Sequence, residues 1–161
     1  AAKKAKKVTG IDISKKVLSI AKVNFEKNRI PKKKYKLDVG DLLNMKLKDG
    51  TFDLTFNTGV VEHFDDDKIN NRPVGEMIRV TKKGGKIVFL VPSTYSPYYL
   101  YYRLTRLPGL KKFYPWEEHR CYTFSMLTNQ LNELKAKYHI RYKTKLCFYS
   151  LFTYLVAEIK K

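Results

Sequence analysis

Two stretches of this sequence hold most of the information about its fold, FDLTFNTGVVEH at residues 52–63 and EMIRVTKKGGKIVFLV at residues 76–91. The first predicts a buried strand over residues 52–56 that runs into a polar loop. The second predicts an amphipathic helix, a Gly-Gly turn and a buried strand over residues 86–91. Two strands joined by a helix form a βαβ unit, so both strands end at the same edge of a parallel sheet. Ligands bind at that edge in open α/β sheets.

The same alternation of strand and helix extends along the rest of the chain. An apolar run at residues 8–11 ends at Asp12, and Ser14 is a good N-cap for the helix that follows. Residues 35–39 predict the next strand, which runs into Gly40-Asp41. The other predicted elements are a helix tail at residues 1–7, a helix ending at Gly84-Gly85, a helix capped near Ser125, and closing strands at residues 139–149 and 151–159. This order predicts one α/β domain over residues 1–161.

Composition limits the class of protein further. The 161 residues are 43% hydrophobic and 14% aromatic, which is ordinary for a folded domain and argues against wholesale disorder. The apolar runs are too short to cross a bilayer, which predicts no transmembrane segment. Cys121 and Cys147 form neither a disulfide framework nor a CxxC pair, which favours a reducing, cytoplasmic location. The spacing of His, Cys and Asp residues predicts no metal site.

The chain is strongly basic, with 33 lysines and arginines against 15 acids and a formal net charge of +18. Such a charge attracts polyanions, either nucleic acid or anionic lipid. Most of these cations are lysines, which lack the planar fork that lets arginine grip a phosphate with two bonds. We interpret the excess as a solvated basic surface. A basic RNA-binding module is the alternative.

Residues 95–118 differ in composition from the rest of the chain. They are rich in tyrosine, with leucines interleaved, and include Trp116. One interpretation is an inserted helix whose aromatic side packs on the domain. A second is a lid or substrate wall, since aromatic rings combine an apolar face with a polar tip. A third is shallow contact with a membrane, helped by basic flanking residues.

Four segments occur in the order found in a known family: VTGIDISKKVLSIAK (8–22), VGDLLNMKLKDGTFDLTFNTGVVEHF (39–64), EMIRVTKKGGKIVFLVPS (76–93) and HRCYTFSMLTNQL (119–131). With these segments the chain resembles the class I S-adenosylmethionine-dependent methyltransferases, particularly the small-molecule group. The resemblance implies a Rossmann-like three-layer α/β sandwich with a mostly parallel sheet and an antiparallel C-terminal strand. It also implies S-adenosyl-L-methionine as cofactor and methyl transfer to a small-molecule or lipid-like acceptor.

The resemblance implies a nucleoside site after the first two strands. The family's acid that matches Asp12 holds the cofactor ribose, and Ile13 follows it at the cofactor. The acid that matches Asp41 accepts from the adenine amino group, while the N–H of Leu42 reaches a ring nitrogen. A carboxylate can accept bonds from two vicinal hydroxyls. Apart from the resemblance, Asp12 is a turn-forming residue before Ser14, and Asp41 is an ordinary loop residue.

The loop after residue 56 is the second predicted part of the site. By resemblance, Asn57, Thr58 and Gly59 pass under the methionine part of the cofactor and border the acceptor. His63 is a candidate catalytic base, because a neutral imidazole can accept a proton from an acceptor hydroxyl. The alternative for His63 is a structural hydrogen bond at a helix start, and Glu62 has the same two interpretations. His119 is a further candidate at the border of the acceptor pocket.

The sequence also departs from the family pattern. The family's first strand and the glycine-rich loop after it have no counterpart here, so we expect an N-terminally truncated domain whose cofactor binding is impaired. We expect residues 8–11 either to pair directly with residues 52–56 or to leave a gap beside them. Two alternatives to methyl transfer remain at this point. One is a non-catalytic fragment or RNA-binding module on a Rossmann-like fold, and the other is a nicotinamide-dependent oxidoreductase, in which an acid such as Asp12 also binds a ribose.

Overall fold

The computed structural model describes residues 4–64, 67–113, 120–149 and 152–161. The chain divides into two compact units, Ala1–Lys46 and Leu47–Lys161. The strands are β1 (Val8–Asp12), β2 (Tyr35–Val39), β3 (Phe52–Thr58), β4 (Thr81–Pro92), β5 (Arg141–Tyr149) and β6 (Phe152–Lys160). The helices are α1 (Lys15–Lys27), α2 (Asp67–Val80), α3 (Pro97–Leu104) and α4 (Phe124–Tyr138), with 3-10 turns at Lys32–Lys34, Val61–His63 and Lys111–Phe113.

The first unit is a strand, a helix and a parallel strand. β1 and β2 pair in parallel from Val8 opposite Tyr35 to Asp12 opposite Val39. The α1 helix begins after Ser14, whose side chain accepts a hydrogen bond from the backbone of the first turn, as the sequence predicted. α1 lies against both strands. The predictions of two strands joined by a helix are therefore confirmed for this unit.

One prediction about the first unit is wrong, and one of the two alternatives for residues 8–11 is excluded. Residues 4–7, the described part of the predicted helix tail, form a turn and a bend and are not helical. Direct pairing of residues 8–11 with residues 52–56 does not occur, because β1 and β2 form a sheet of their own while β3 belongs to a different sheet. Residues 8–12 instead pair in parallel with residues 35–39.

The second unit is built on a four-stranded sheet with the order β3-β4-β6-β5. β3 and β4 are parallel, whereas β6 runs antiparallel to both β4 and β5. The crossover from β3 to β4 goes through α2, which makes the βαβ unit that the sequence predicted. The antiparallel strand at the C-terminal end is confirmed, and the carboxyl ends of β3 and β4 lie at one edge of the sheet.

The hydrophobic core lies in the second unit, where α2 and α4 contact each other and the sheet. Alternate residues of β4 and β6 point into this core, as the period of two in a strand requires. The fully buried apolar side chains of the core include Val74, Ile78, Ile87, Phe89, Val91, Leu127, Leu131, Leu134, Leu155 and Ala157. Leu54 and Phe56 of β3 are at least half exposed. The face of β3 that carries these two side chains is therefore only partly packed.

The prediction that Gly84-Gly85 ends the second helix is wrong. α2 ends at Val80. The carbonyl oxygens of Arg79 and Val80 accept hydrogen bonds from the N–H groups of Gly50 (3.0 Å) and Thr51 (2.7 Å), so the preceding loop satisfies the helix end. The glycines instead lie within β4, where Gly84 has a φ of 76° and the chain leaves the β3 ladder before rejoining it.

The last helix and the aromatic segment also differ in detail from the predictions. The N-cap of α4 is Thr123, which accepts from the Met126 N–H at 3.2 Å, and not Ser125. α3 lies in the aromatic segment and contacts β6, but its own side chains are half-buried or exposed. Residues 114–118 of that segment, and His119, lie outside the described residues. Among the residues that the structure describes, no helix is long and apolar enough to cross a membrane.

Candidate functional site

Two carboxylates follow the carboxyl ends of neighbouring parallel strands in the first unit. Asp12 is the last residue of β1 and lies opposite Val39, the last residue of β2. The N–H of Gly40 donates to the backbone oxygen of Asp12 at 3.1 Å, and Asp41 follows directly. The structure therefore brings both predicted nucleoside-binding acids to the same sheet edge.

Each of these carboxylates organises its own loop. Oδ1 of Asp12 accepts a hydrogen bond from the Ser14 N–H at 2.7 Å, and Oδ1 of Asp41 accepts from the Leu43 N–H at 2.8 Å. These are Asx turns, in which a short acid replaces a backbone acceptor. Among the described residues, Oδ2 of Asp12 and of Asp41 has no hydrogen-bond partner. One oxygen of each acid thus fixes the loop and the other is available to a ligand.

Gly40 permits the close approach of the two strand ends. A Cβ atom at this position would lie 2.8 Å from Cγ2 of Ile11, which is closer than carbon atoms pack. The neighbouring predicted residues differ in exposure, since the Ile13 side chain is 75% exposed and Leu42 is half-buried. In the described part of the chain, no acceptor takes the Leu42 N–H.

In the second unit, further predicted site residues lie at the end of β3 and directly after it. Asn57 and Thr58 are its last two residues, and Gly59 turns the chain with a φ of 76°, a conformation that favours glycine. The 3-10 turn Val61–His63 comes next. Oδ1 of Asn57 is buried and has no hydrogen-bond partner among the described residues. A buried acceptor left in this way is costly unless a ligand or water donates to it.

Thr58, Gly59 and His63 line a cleft of about 200 Å³ at the carboxyl ends of β3 and β4. Asn57 is adjacent in sequence but is not part of the cleft lining. Glu62, a second candidate beside His63, also lines the cleft, as do Ser96 and Tyr98 of the segment interpreted as a possible substrate wall. The structure adds cleft residues that the sequence interpretation did not select: Pro92, Ser93, Thr153 and Tyr154. The signal for Ser93 was present in the sequence, because it lies two residues after the end of the strand predicted at residues 86–91. Thr153 and Tyr154 reach the cleft only through the antiparallel pairing of β6.

Ser96 fixes one wall of this cleft. Its hydroxyl oxygen accepts from the N–H of Tyr98 and from the N–H of Thr153, both at 3.2 Å. The first bond caps α3 and the second joins α3 to β6. Tyr98 of the aromatic segment is therefore held in a defined position beside the cleft.

Glu62 is the buried charged group of the cleft, with 4% of its surface exposed. Burial raises the pKa of its carboxyl, and this rise is only partly opposed by backbone hydrogen bonds and by nearby His63. Burial, together with the charge of Glu62, raises the pKa of the Cys121 thiol to about 11. The same two causes raise the pKa of Tyr154, with a contribution from Tyr98. The cleft thus contains an acid, an imidazole and several hydroxyls.

The side chain of His63 is exposed on the 3-10 turn. The backbone N–H of His63 donates to the backbone oxygen of Val60 at 3.1 Å. An exposed imidazole at the rim of a cleft can exchange protons with solvent as well as with a bound molecule. The arrangement therefore allows proton acceptance beside a nucleophilic group in the cleft.

Comparison with known proteins gives the chain a family. A family profile described as a methyltransferase domain matches residues 1–89, more than half of the chain. Norajmaline N-methyltransferase of Rauvolfia serpentina is 46% identical over 57 residues, a segment that makes up 35% of this chain and only 18% of that protein.

Solved structures resemble the whole chain. A SAM-dependent methyltransferase from Methanosarcina mazei has a TM-score of 0.72 at 19% identity, with 99% of this chain and 84% of that chain covered. Magnesium protoporphyrin IX methyltransferase from Synechocystis, solved with bound S-adenosylhomocysteine, has a TM-score of 0.71 at 10% identity, with 99% of this chain and 67% of that chain covered. At identities this low the likeness shows the fold, and it confirms the Rossmann-like α/β class.

Proposed function

The chain belongs to the methyltransferase domain family, the class I S-adenosylmethionine-dependent methyltransferases, and on this premise we propose that it transfers a methyl group to a small-molecule or lipid-like acceptor. The cofactor of the family is S-adenosylmethionine, which supplies an electrophilic methyl group on a sulfonium when it is bound. Family membership favours this chemistry over that of a nicotinamide-dependent oxidoreductase. The observation that supports it best is the pair of acids, Asp12 and Asp41, at the ends of two paired parallel strands.

The residues after β1 and β2 fit the nucleoside part of the cofactor. Oδ2 of Asp12 is available to accept from ribose hydroxyls, and Oδ2 of Asp41 is available to accept from the adenine amino group. The N–H of Leu42 is available to a ring nitrogen of the base. The exposed apolar side chain of Ile13 offers a surface for an aromatic ring.

The residues after β3 are proposed for the amino-acid part of the cofactor. The buried, unpaired Oδ1 of Asn57 is suited to accept from an ammonium group. Thr58 adds a hydroxyl, and Gly59 presents backbone without a side chain, which permits close approach of a ligand.

The cleft of the second unit is proposed as the acceptor site. His63 accepts a proton at an imidazole nitrogen when the acceptor is a hydroxyl, and Tyr98 forms an aromatic wall, which is the wall or lid role considered for residues 95–118. Holding the acceptor in line is the larger contribution of such a cleft. The Rauvolfia serpentina relative is named for methylation of norajmaline, which supports a small-molecule acceptor.

Calorimetric titration with S-adenosylhomocysteine tests this proposal. Asp12→Asn and Asp41→Asn keep an Oδ1 acceptor for the loop but remove the charge that holds the nucleoside, so each variant is expected to weaken binding by about tenfold or more. Asp38→Asn is the matched control, because Asp38 lies within β2 and pairs with Lys36 at 2.6 Å instead of facing the strand end. Its binding is expected to equal that of the parent chain.

Two outcomes contradict the proposal. One is the absence of S-adenosylhomocysteine binding both in the parent chain and in a version extended upstream by the family's first strand and glycine-rich loop. The other is a loss of affinity in Asp38→Asn as large as the losses in the two site variants. Such a result would mean that the change in net charge, and not the loss of a specific contact, weakens binding.

A further inference from the structure

Glu62 is a buried acid with one carboxylate oxygen that lacks a hydrogen-bond partner among the described residues. Methyl transfer does not by itself require such a group. Only 4% of its surface is exposed. Its Oε2 atom is buried and has no hydrogen-bond partner among the described residues. An ionised carboxylate can only accept hydrogen bonds, so this oxygen is satisfied only by a donor. A buried acceptor without such a donor destabilises the protein that contains it.

The carboxylate is part of the lining of the cleft and not of the packed core. The cleft lies beside the last residues of β3 and β4, and Thr58, Ser93 and Tyr154 line it together with Glu62. The backbone oxygen of Glu62 accepts from the Arg120 N–H at 3.0 Å, which anchors the turn to the chain segment before α4. Glu62 thus lies on an anchored turn beside a cleft that a small molecule can enter.

The neighbouring titratable groups respond to Glu62 as to a negative charge. The titratable or charged groups that interact with Glu62 are His63 on the same turn, Arg120 and Cys121 before α4, and Tyr154 on β6, which in turn interacts with Tyr98 on α3. Burial, together with the charge of Glu62, raises the pKa of both the Cys121 thiol and the Tyr154 hydroxyl, so these two groups are protonated and neutral beside it. A donor in the cleft would therefore supply the hydrogen bond that Oε2 of Glu62 lacks.

We propose that the cleft binds its acceptor through an amine, whose N–H group donates to Oε2 of Glu62. A protonated or neutral amine supplies the missing donor, and a protonated amine also balances the buried charge. The volume of about 200 Å³ lies below the range of about 300 Å³ and more that is typical for drug-sized ligands, so the amine is a small one. The rings of Tyr98 and Tyr154 provide apolar faces for an aryl or alkyl group attached to it. In taking this ligand to be the acceptor, the inference rests on the proposed function.

Paired calorimetric titrations with phenethylamine and 2-phenylethanol test the inference, because these probes have the same carbon skeleton and differ in the amine. The parent chain is expected to bind phenethylamine at least about tenfold more tightly than 2-phenylethanol, the usual gain from a charged hydrogen bond. In Glu62→Gln this preference is expected to disappear. Glu26→Gln, which removes one charge from an exposed position on α1, is the control and should keep the preference.

A second measurement on the parent chain does not depend on the folding of a variant. Phenethylamine binding is expected to weaken as the pH falls and the Glu62 carboxyl takes up its proton, whereas 2-phenylethanol binding stays constant. The titration is repeated with His63→Gln, which removes the neighbouring imidazole, and the pH dependence should persist. Equal affinity of the parent for both probes, or an unchanged preference in Glu62→Gln, overturns the inference.

A parallel titration with S-adenosylhomocysteine separates this inference from the proposed function. Binding of S-adenosylhomocysteine without any amine preference refutes the amine site and leaves methyl transfer standing. An amine preference at Glu62 without S-adenosylhomocysteine binding in either the parent chain or the upstream-extended version supports the amine site and refutes methyl transfer to its occupant.

Discussion

The two parallel strand pairs of this molecule, β1–β2 and β3–β4, both end in polar loops but are supported very differently. The helix beside β1–β2 has no buried residue, and Val17, Ile20 and Val23 on it are about half exposed. In β4, by contrast, Ile87 and Phe89 are completely buried under helices. The loops of the first pair therefore depend on local hydrogen bonds, whereas those of the second depend on a packed core. Similar ligand-binding edges can thus have very different sources of rigidity.

Truncation of a core side chain should give the largest difference between the two regions. Phe89→Ala removes a fully buried ring and is expected to lower the free energy of unfolding by about 3–5 kcal/mol, because it creates a cavity. Ile20→Ala on α1 is the matched change at a half-exposed site, with an expected loss below about 1 kcal/mol. Urea denaturation followed by circular dichroism measures both. Equal losses would show that α1 is packed as tightly as the core.

Amide hydrogen exchange should separate the same regions without any substitution. Exchange depends on local opening, which needs less free energy where few apolar side chains are buried. Amides in the β1–β2 ladder are expected to exchange at least about 100-fold faster than those in the β4–β6 ladder. Mass spectrometry of peptides from the two ladders gives the rates. Similar protection in both would contradict the distinction drawn between them.

A smaller effect is expected at Glu62, where the well-packed unit contains a destabilising residue. Burial raises the folded-state pKa of this carboxyl above its ordinary value of 4.5, so ionisation costs more in the folded chain than in the unfolded one. Stability from this group is therefore present below that value and is lost as the pH rises through the raised pKa. Glu62→Gln should melt a few degrees higher than the parent at pH 8, and the difference should shrink towards pH 4.

Thermal melts between pH 4 and pH 8 measure the sign of the difference in melting temperature between Glu62→Gln and the parent. A Glu62→Gln variant that is less stable than the parent at pH 8 would mean that the carboxylate has a stabilising partner. Such trade-offs, in which a residue kept for binding lowers stability, are common at functional sites.

The sequence was sufficient for features that depend on local pattern. The strands at residues 8–11, 35–39, 52–56 and 86–91 and the class of fold are confirmed, because alternation and apolar runs are read within a few residues. The end of α2 was mispredicted because its last carbonyls are satisfied by Gly50 and Thr51, about thirty residues away. No pattern near Gly84-Gly85 indicates that long-range bond.

The candidate site shows the same limit. The acids Asp12 and Asp41 could be selected from sequence, because each lies within two residues of the end of a predicted strand. Tyr154 could not, because it approaches the cleft through the antiparallel pairing of β6 with β4, which places it opposite Pro92. The burial of Glu62 was likewise invisible, since nothing in the sequence distinguishes it from the exposed His63 beside it.

The backbone conformation at Gly59 determines which enantiomer of an amino acid fits at this position. An added Cβ would meet nothing within 4 Å there, so volume does not exclude a side chain, but a φ of 76° disfavours every L-amino acid. A D-alanine installed at this position by chemical ligation should adopt the bend readily, while its L-enantiomer should not. The passage from β3 to the Glu62 turn is thus governed by chirality, and a mirror-image residue would stiffen it by reducing the freedom of the unfolded chain.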